Sequence, residues 1–177
     1  PDEIWVFDKK SFIKAKKIFK KTLKKLKKNL LEESFRELKK NNNRKIRNYL
    51  YFLEPIDGEI EYLALKKFFL FLKNNKINKN IKIKFKLHPR EKIIKYYKFL
   101  KIFKQFKYEI TDDVDLKSLL KWSQIIFGMR SYALVLGIKS KRSVYSLLPI
   151  KNVKSTIPYK IQTINKISQK QLLNIKK

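Results

Sequence analysis

From Ile81 to Leu87 the chain alternates strictly between apolar residues and lysine (Ile-Lys-Ile-Lys-Phe-Lys-Leu). This period of two marks a strand with one buried face. Four other short runs are dense in β-forming residues: Glu3–Phe7, Arg47–Leu53, Tyr108–Thr111 and Gln124–Phe127. Arg142–Leu148, ended by Pro149, and Ile161–Ile164 read the same way. Between these runs the apolar spacing changes to that of helices. Glu59 to about Leu72, Glu91 to about Phe106 and a stretch up to Trp122 carry the 3.6-residue pattern, Asp112-Asp113 being placed to cap the last. A further helix begins near Ser131 and runs to about Gly137, and Ser168 is placed to cap a short one ending near Ile175.

Strands alternating with helices predict an α/β fold, a Rossmann-like parallel sheet with helices on both faces. Lys9 to about Lys40 has no Pro or Gly, and Phe12, Ile13, Ala15, Ile18, Phe19, Leu23, Leu26, Leu30 and Leu31 recur near helical spacing. This segment is read as one long basic amphipathic helix or two shorter ones, broken at Asn41-Asn42-Asn43. The expected organisation is a strand and basic helical segment over 1–43, a Rossmann-like domain over 44–150, and an extension with a short helix over 151–177.

The 177 residues carry 13 Phe and 9 Tyr, enough apolar material to build a core rather than a disordered polycation. The formal charge of +30 directs attention to anionic partners: nucleic acid, phosphorylated ligands or an anionic membrane surface. Against that stands the heavy use of Lys, Ile, Asn, Phe and Tyr with only 3 Gly, the pattern that AT-rich coding imposes on solvated faces. With no Cys and 1 His, neither a disulfide framework nor a Cys- or His-cluster metal site can be built, and no metal is expected. No apolar run reaches the roughly 18–20 residues of a membrane span. The reading expects a cytoplasmic protein, with the lysine face of 9–40 able to touch the inner membrane surface.

In an open parallel sheet, ligands bind beyond the carboxyl ends of the strands, where loops enter helices. Three such ends carry chemistry. At Lys86-Leu-His-Pro-Arg90, Pro89 holds His88 extended at a strand tip, and Arg90 with the following helix's N–H groups could take a phosphate. An ordinary strand end with a turn proline fits the same residues. At Gly128-Met129-Arg130-Ser131, Gly128 permits close backbone approach or positive φ, and Ser131 opens a helix whose N-terminus favours anions. A plain N-cap explains Ser131 equally. At Glu54-Pro-Ile-Asp57-Gly, the Glu54 carboxylate could meet a ribose or base, although a plain turn accounts for the motif.

A strand ending in His88-Pro89-Arg90, then about 40 residues later a strand running into Gly128-x-x-Ser131-x-x-Leu134, then Val144-Tyr-Ser-Leu-Leu-Pro149, resembles the C-terminal domain of GT-B glycosyltransferases. It looks most like the bacterial sialyltransferases and polysialyltransferases, and is similar to the CDP-glycerol glycerophosphotransferases and related capsule enzymes. The resemblance covers about Arg47 to Pro149. It implies that the chain is the donor-binding half of an enzyme that transfers a sugar, such as sialic acid from CMP-sialic acid, in bacterial surface polysaccharide or lipooligosaccharide synthesis. The acceptor would be a glycan or glycolipid. It implies a catalytic His88 that meets the donor phosphate, with Pro89, Arg90, Gly128, Arg130 and Ser131 around the same phosphate and no cofactor beyond the donor. The family's Ser-Ser/Thr pair stands here as Arg130-Ser131, so one hydroxyl matches. Its acidic motif, which supplies the general base from the other domain, is not found in this chain. The alternative function is a basic nucleic-acid-binding module, which uses the charge and aromatics directly but lacks a helix-turn-helix, zinc-finger or Gly-rich RNA signature. A non-catalytic domain of the same fold is the third.

Overall fold

The computed structural model describes residues 4–6, 9–19, 23–25, 34–36, 38, 47–55, 58–74, 81–101, 105–148 and 159–164. Along the chain these form β1 (Ile4–Val6), α1 (Lys9–Ile18), β2 (Leu23–Lys25), β3 (Arg47–Phe52), α2 (Gly58–Asn74), β4 (Ile81–Lys86), α3 (Ile94–Leu100), β5 (Tyr108–Thr111), α4 (Leu116–Trp122), β6 (Ile125–Gly128), α5 (Tyr132–Lys139), β7 (Ser143–Ser146) and β8 (Gln162–Thr163). The main sheet has six strands in the order β5-β4-β3-β6-β7-β8, and every neighbouring pair is parallel. Counted from β3 this is the order 3-2-1-4-5-6, the doubly wound arrangement of dinucleotide-binding domains. The fold is Rossmann-like, as the alternation of strands and helices predicts.

Burial follows from that order. β3 lies in the middle of the sheet and is buried on both faces: Tyr49, Tyr51 and Leu53 join one core, Leu50 and Phe52 the other. The first core takes Ala64, Leu65, Phe68 and Leu72 from α2 and Tyr96 and Leu100 from α3. It is rich in rings, with Phe68 4.7 Å from Phe127 and 5.4 Å from Tyr51 between centroids. The second core takes Leu119 and Leu120 from α4, Leu134 and Leu136 from α5, and Phe35. Gly137 lets α5 settle onto the sheet, since a Cβ there would come within 2.7 Å of Ile126 Cδ1. β4 is buried on one face only: Ile81, Ile83 and Phe85 point inward, while Lys82, Lys84 and Lys86 alternate with them.

The structure departs from the sequence reading in three places. The segment 9–40 is not one continuous helix: α1 stops at Ile18, Leu23–Lys25 pairs in parallel with Ile4–Val6 as a β-α-β unit, and residues 34–36 are again helical. Three residues of Leu-Lys-Lys fit a helix pattern and a strand equally, so long-range pairing decides. The helix after His88 starts at Ile94 rather than Glu91, because the chain first turns back on itself, Glu91 N–H donating to the His88 carbonyl at 2.9 Å. Asp115, not Asp112 or Asp113, caps α4, its carboxylate accepting from the N–H groups of Lys117 (2.8 Å) and Ser118 (3.1 Å). Of the two uses offered for Gly128, positive φ is not the one the structure makes. The strand read at Ile161–Ile164 is present as β8 and pairs with β7 as the sixth strand of the main sheet. The break at Asn41–Asn43 and the helix after Ser168 lie outside the described residues.

Candidate functional site at the carboxyl edge of the sheet

In the order 3-2-1-4-5-6, successive connections leave β3 and β6 in opposite directions, so a crevice opens between their carboxyl ends. Residues 53–55 leave β3 here, and 129–131 lead from β6 into α5. β4 flanks β3 on its other side, so His88-Pro89-Arg90 reaches the same edge one strand further out. The loops bearing His88 and Ser131 therefore leave strands that lie on either side of β3.

The crevice floor is built on Glu54. Its side chain is buried, and Oε1 accepts three consecutive backbone N–H groups: Met129 at 2.9 Å, Arg130 at 2.7 Å and Ser131 at 2.8 Å. Successive N–H groups at a helix entrance form a concavity suited to an anion. Ser131 is the N-cap of α5, its Oγ accepting from Ala133 N–H at 3.2 Å. Ser146 Oγ donates to the Met129 carbonyl at 2.7 Å, and Leu147 N–H donates to the Gly128 carbonyl at 2.8 Å, which fixes the turn from β7. A Cβ on Gly128 would lie 3.1 Å from Leu134 Cδ2 and 3.6 Å from Glu54 Oε1. Close approach is thus what this glycine supplies.

Glu54 is itself anchored by residues to which the sequence reading gave no role. Its N–H donates to Glu61 Oε1 at 2.9 Å, and the Tyr96 hydroxyl donates to Glu61 Oε2 at 3.2 Å. Glu61 is fully buried, and the loss of hydration pushes its pKa up to about 7. Burial raises the Tyr96 phenol as well, with the Glu61 charge adding to it. Tyr51 is completely buried and its hydroxyl has no hydrogen-bond partner among the described residues. Burial raises its pKa well above the usual value, and the charges of Glu61 and Glu54 act in the same direction. One signal for Glu61 was present in the sequence: it shares the apolar stripe of α2 with Leu65, Phe68 and Leu72.

The other candidates stand at the surface. His88 is half-buried, while Pro89 and Arg90 are exposed. His88 Nδ1 accepts the Arg90 N–H at 3.1 Å, so the proton of the neutral ring is on Nε2. Because α3 begins six positions after His88, its N–H groups do not adjoin the His-Pro-Arg turn. Arg130 is exposed and Ser131 half-buried, while Gly128 and Met129 are buried. Asp57 lies outside the described residues, among which no group of three or more His, Cys, Asp or Glu side chains is placed to hold a metal ion. No helix among them is long and apolar enough to cross a membrane.

No family model matches the chain, and no curated protein sequence does. Among solved structures, a chain of the accessory secretory protein 1, 2 and 3 structure from Streptococcus pneumoniae superposes with a TM-score of 0.52 at 17% identity, over 87% of this chain and 32% of that one. The likeness is one of fold. MurG from Acinetobacter baumannii follows at a TM-score of 0.47 and 9% identity, covering 82% of this chain and 44% of its own, too loose a match to argue from. The chain spans about a third of the length of the Streptococcus pneumoniae chain.

Proposed function

We propose that the chain is the nucleotide-sugar-binding half of a GT-B glycosyltransferase, and that it holds the donor at the crevice between β3 and β6. The observation that carries this reading is the pairing of a doubly wound strand order with two arginine-bearing loops, His88–Arg90 and Gly128–Ser131, on either side of the switch point. Arg90 and Arg130 are exposed donors able to bind phosphate in two-pronged fashion. His88 offers Nε2–H, and the Ser131 hydroxyl, whose oxygen serves Ala133, keeps its proton for an incoming oxygen. These groups would stabilise negative charge as the nucleotide phosphate departs from the sugar. The sequence resemblance supports a cytidine nucleotide and makes sialic acid the first sugar to test. The acceptor, a glycan or glycolipid, and the general base belong in this reading to the partner domain.

Calorimetric titration with CMP, CDP, UDP, GDP and ADP tests the proposal. Saturable, selective binding of a cytidine nucleotide is expected. Arg90→Ala should weaken it about 10- to 100-fold, one charge-assisted contact being worth about 1.5–3 kcal/mol. A second reading, a nucleic-acid-binding module, is favoured by one observation. A groove of about 370 Å³ at the opposite end of the sheet is lined by Lys82, Lys84, Lys107, Tyr108 and Trp122. There Lys84 pairs with Glu109 at 3.2 Å and sits 5.1 Å over the Trp122 ring, so part of its charge and stacking surface is already engaged. Salt-sensitive binding to any polynucleotide, with no selectivity among the mononucleotides, would replace the transferase reading with this one.

A further inference from the structure

The N–H concavity at the entrance of a helix beside the switch point is where doubly wound domains hold a ligand's phosphate. Here that place is taken. All three N–H groups, of Met129, Arg130 and Ser131, end on one oxygen of a side chain that leaves the neighbouring strand. We propose that Glu54 is a built-in anion that permanently fills the phosphate seat of this domain, so that the seat is closed to external phosphate and any donor phosphate is met by side chains alone.

Three further observations separate a permanent occupant from a passing contact. The Glu54 side chain is buried rather than folded over from solvent. Its backbone is tied down by Glu61, which is tied in turn to Tyr96, so the strand end that carries the carboxylate is itself held by buried hydrogen bonds. The ground around it is polar but closed: the Tyr51 hydroxyl is completely buried and has no hydrogen-bond partner among the described residues. Gly128 completes the fit, since a side chain there would press on Leu134 and stand beside Glu54 Oε1. The inference rests on the donor-site reading only for its last clause. A chain that bound no nucleotide at all would still have a closed seat.

The test is a titration with inorganic phosphate at constant ionic strength, followed at the backbone amides of Met129, Arg130 and Ser131 by heteronuclear NMR. In the unaltered chain these three amides should stay in place up to tens of millimolar phosphate and exchange slowly with solvent. Saturable movement of any of them overturns the proposal, because the seat is then open. In Glu54→Ala the same amides should shift saturably, and the melting temperature should rise by on the order of 3 °C over a chloride control. A folded Glu54→Ala chain whose three amides ignore phosphate also overturns it. Should Glu54→Ala not fold, the titration of the unaltered chain decides alone. Absence of cytidine-nucleotide binding would count against the transferase reading without touching either phosphate result.

Discussion

The loops that leave β4 and β6 face the same edge of one sheet and both carry arginine, yet they are built in opposite ways. The β6 loop is closed from within: three of its N–H groups converge on Glu54, a β7 hydroxyl holds its carbonyl, and α5 starts at once behind Ser131. The β4 loop is open. His88 bonds only within its own turn in the contacts described, Pro89 and Arg90 stand in solvent, and α3 begins several residues later. A loop with its polar groups satisfied inside is rigid and presents only side-chain tips. A loop with free donors can adapt to a ligand. The two halves of the candidate site thus divide the work: the β6 loop gives a fixed frame, the β4 loop an adjustable hand.

The hardest way to break this contrast is Glu54→Ala. It leaves the N–H groups of Met129, Arg130 and Ser131, the first buried and the other two partly so, without their acceptor and should cost about 3–5 kcal/mol in denaturant unfolding. An equal loss from His88→Ala would show that the open loop is as structural as the closed one. Next comes pH. A carboxyl whose pKa rises on folding favours the folded state while protonated. The contribution of Glu61 is complete below its usual range near 4.3 and is lost as pH climbs through about 7. The protein should lose about 3 kcal/mol over that window on this account, and Glu61→Gln should flatten the profile. Smaller is Gly128→Ala, expected to cost about 1–2 kcal/mol because Leu134 must give way. Smallest is His88→Ala itself, within about 0.5 kcal/mol as a half-exposed loop position. A thermal or urea series on these four variants puts the closed and open loops on one scale.

Much of the sheet could be read from local pattern. The Ile-Lys alternation of β4 reports its one-sided burial, and the apolar run Tyr49–Phe52 that ends β3 its place at the centre. Ser131 as N-cap followed from its position before an apolar helix. β2 was not legible, because Leu-Lys-Lys has no period of its own and becomes a strand only beside Ile4–Val6. The choice of Asp115 over its acidic neighbours turns on where α4 begins, which pattern fixes only to within a few residues. The sequence reading placed Glu54 at a strand tip and offered it to a ribose or base. That its carboxylate ends on residues 75–77 positions further along depends on the strand order bringing β3 beside β6, and no local signal carries that.

The carboxylate clasp has a kinetic meaning too. β3 meets β4 through the short α2 crossover, whereas joining Glu54 to Met129 closes a loop spanning 75 positions. Chain entropy opposes such closures and delays them until nearer contacts have formed. The half-sheet β5-β4-β3 can therefore gather first, with the β6 side docking onto it and Glu54 latching near the end of the climb. A substitution in that latch should then hasten unfolding while leaving the folding rate almost untouched, and stopped-flow chevrons of Glu54→Gln measure both arms. The residue that closes the seat would also reinforce the β3–β6 ladder that joins the two halves of the finished sheet.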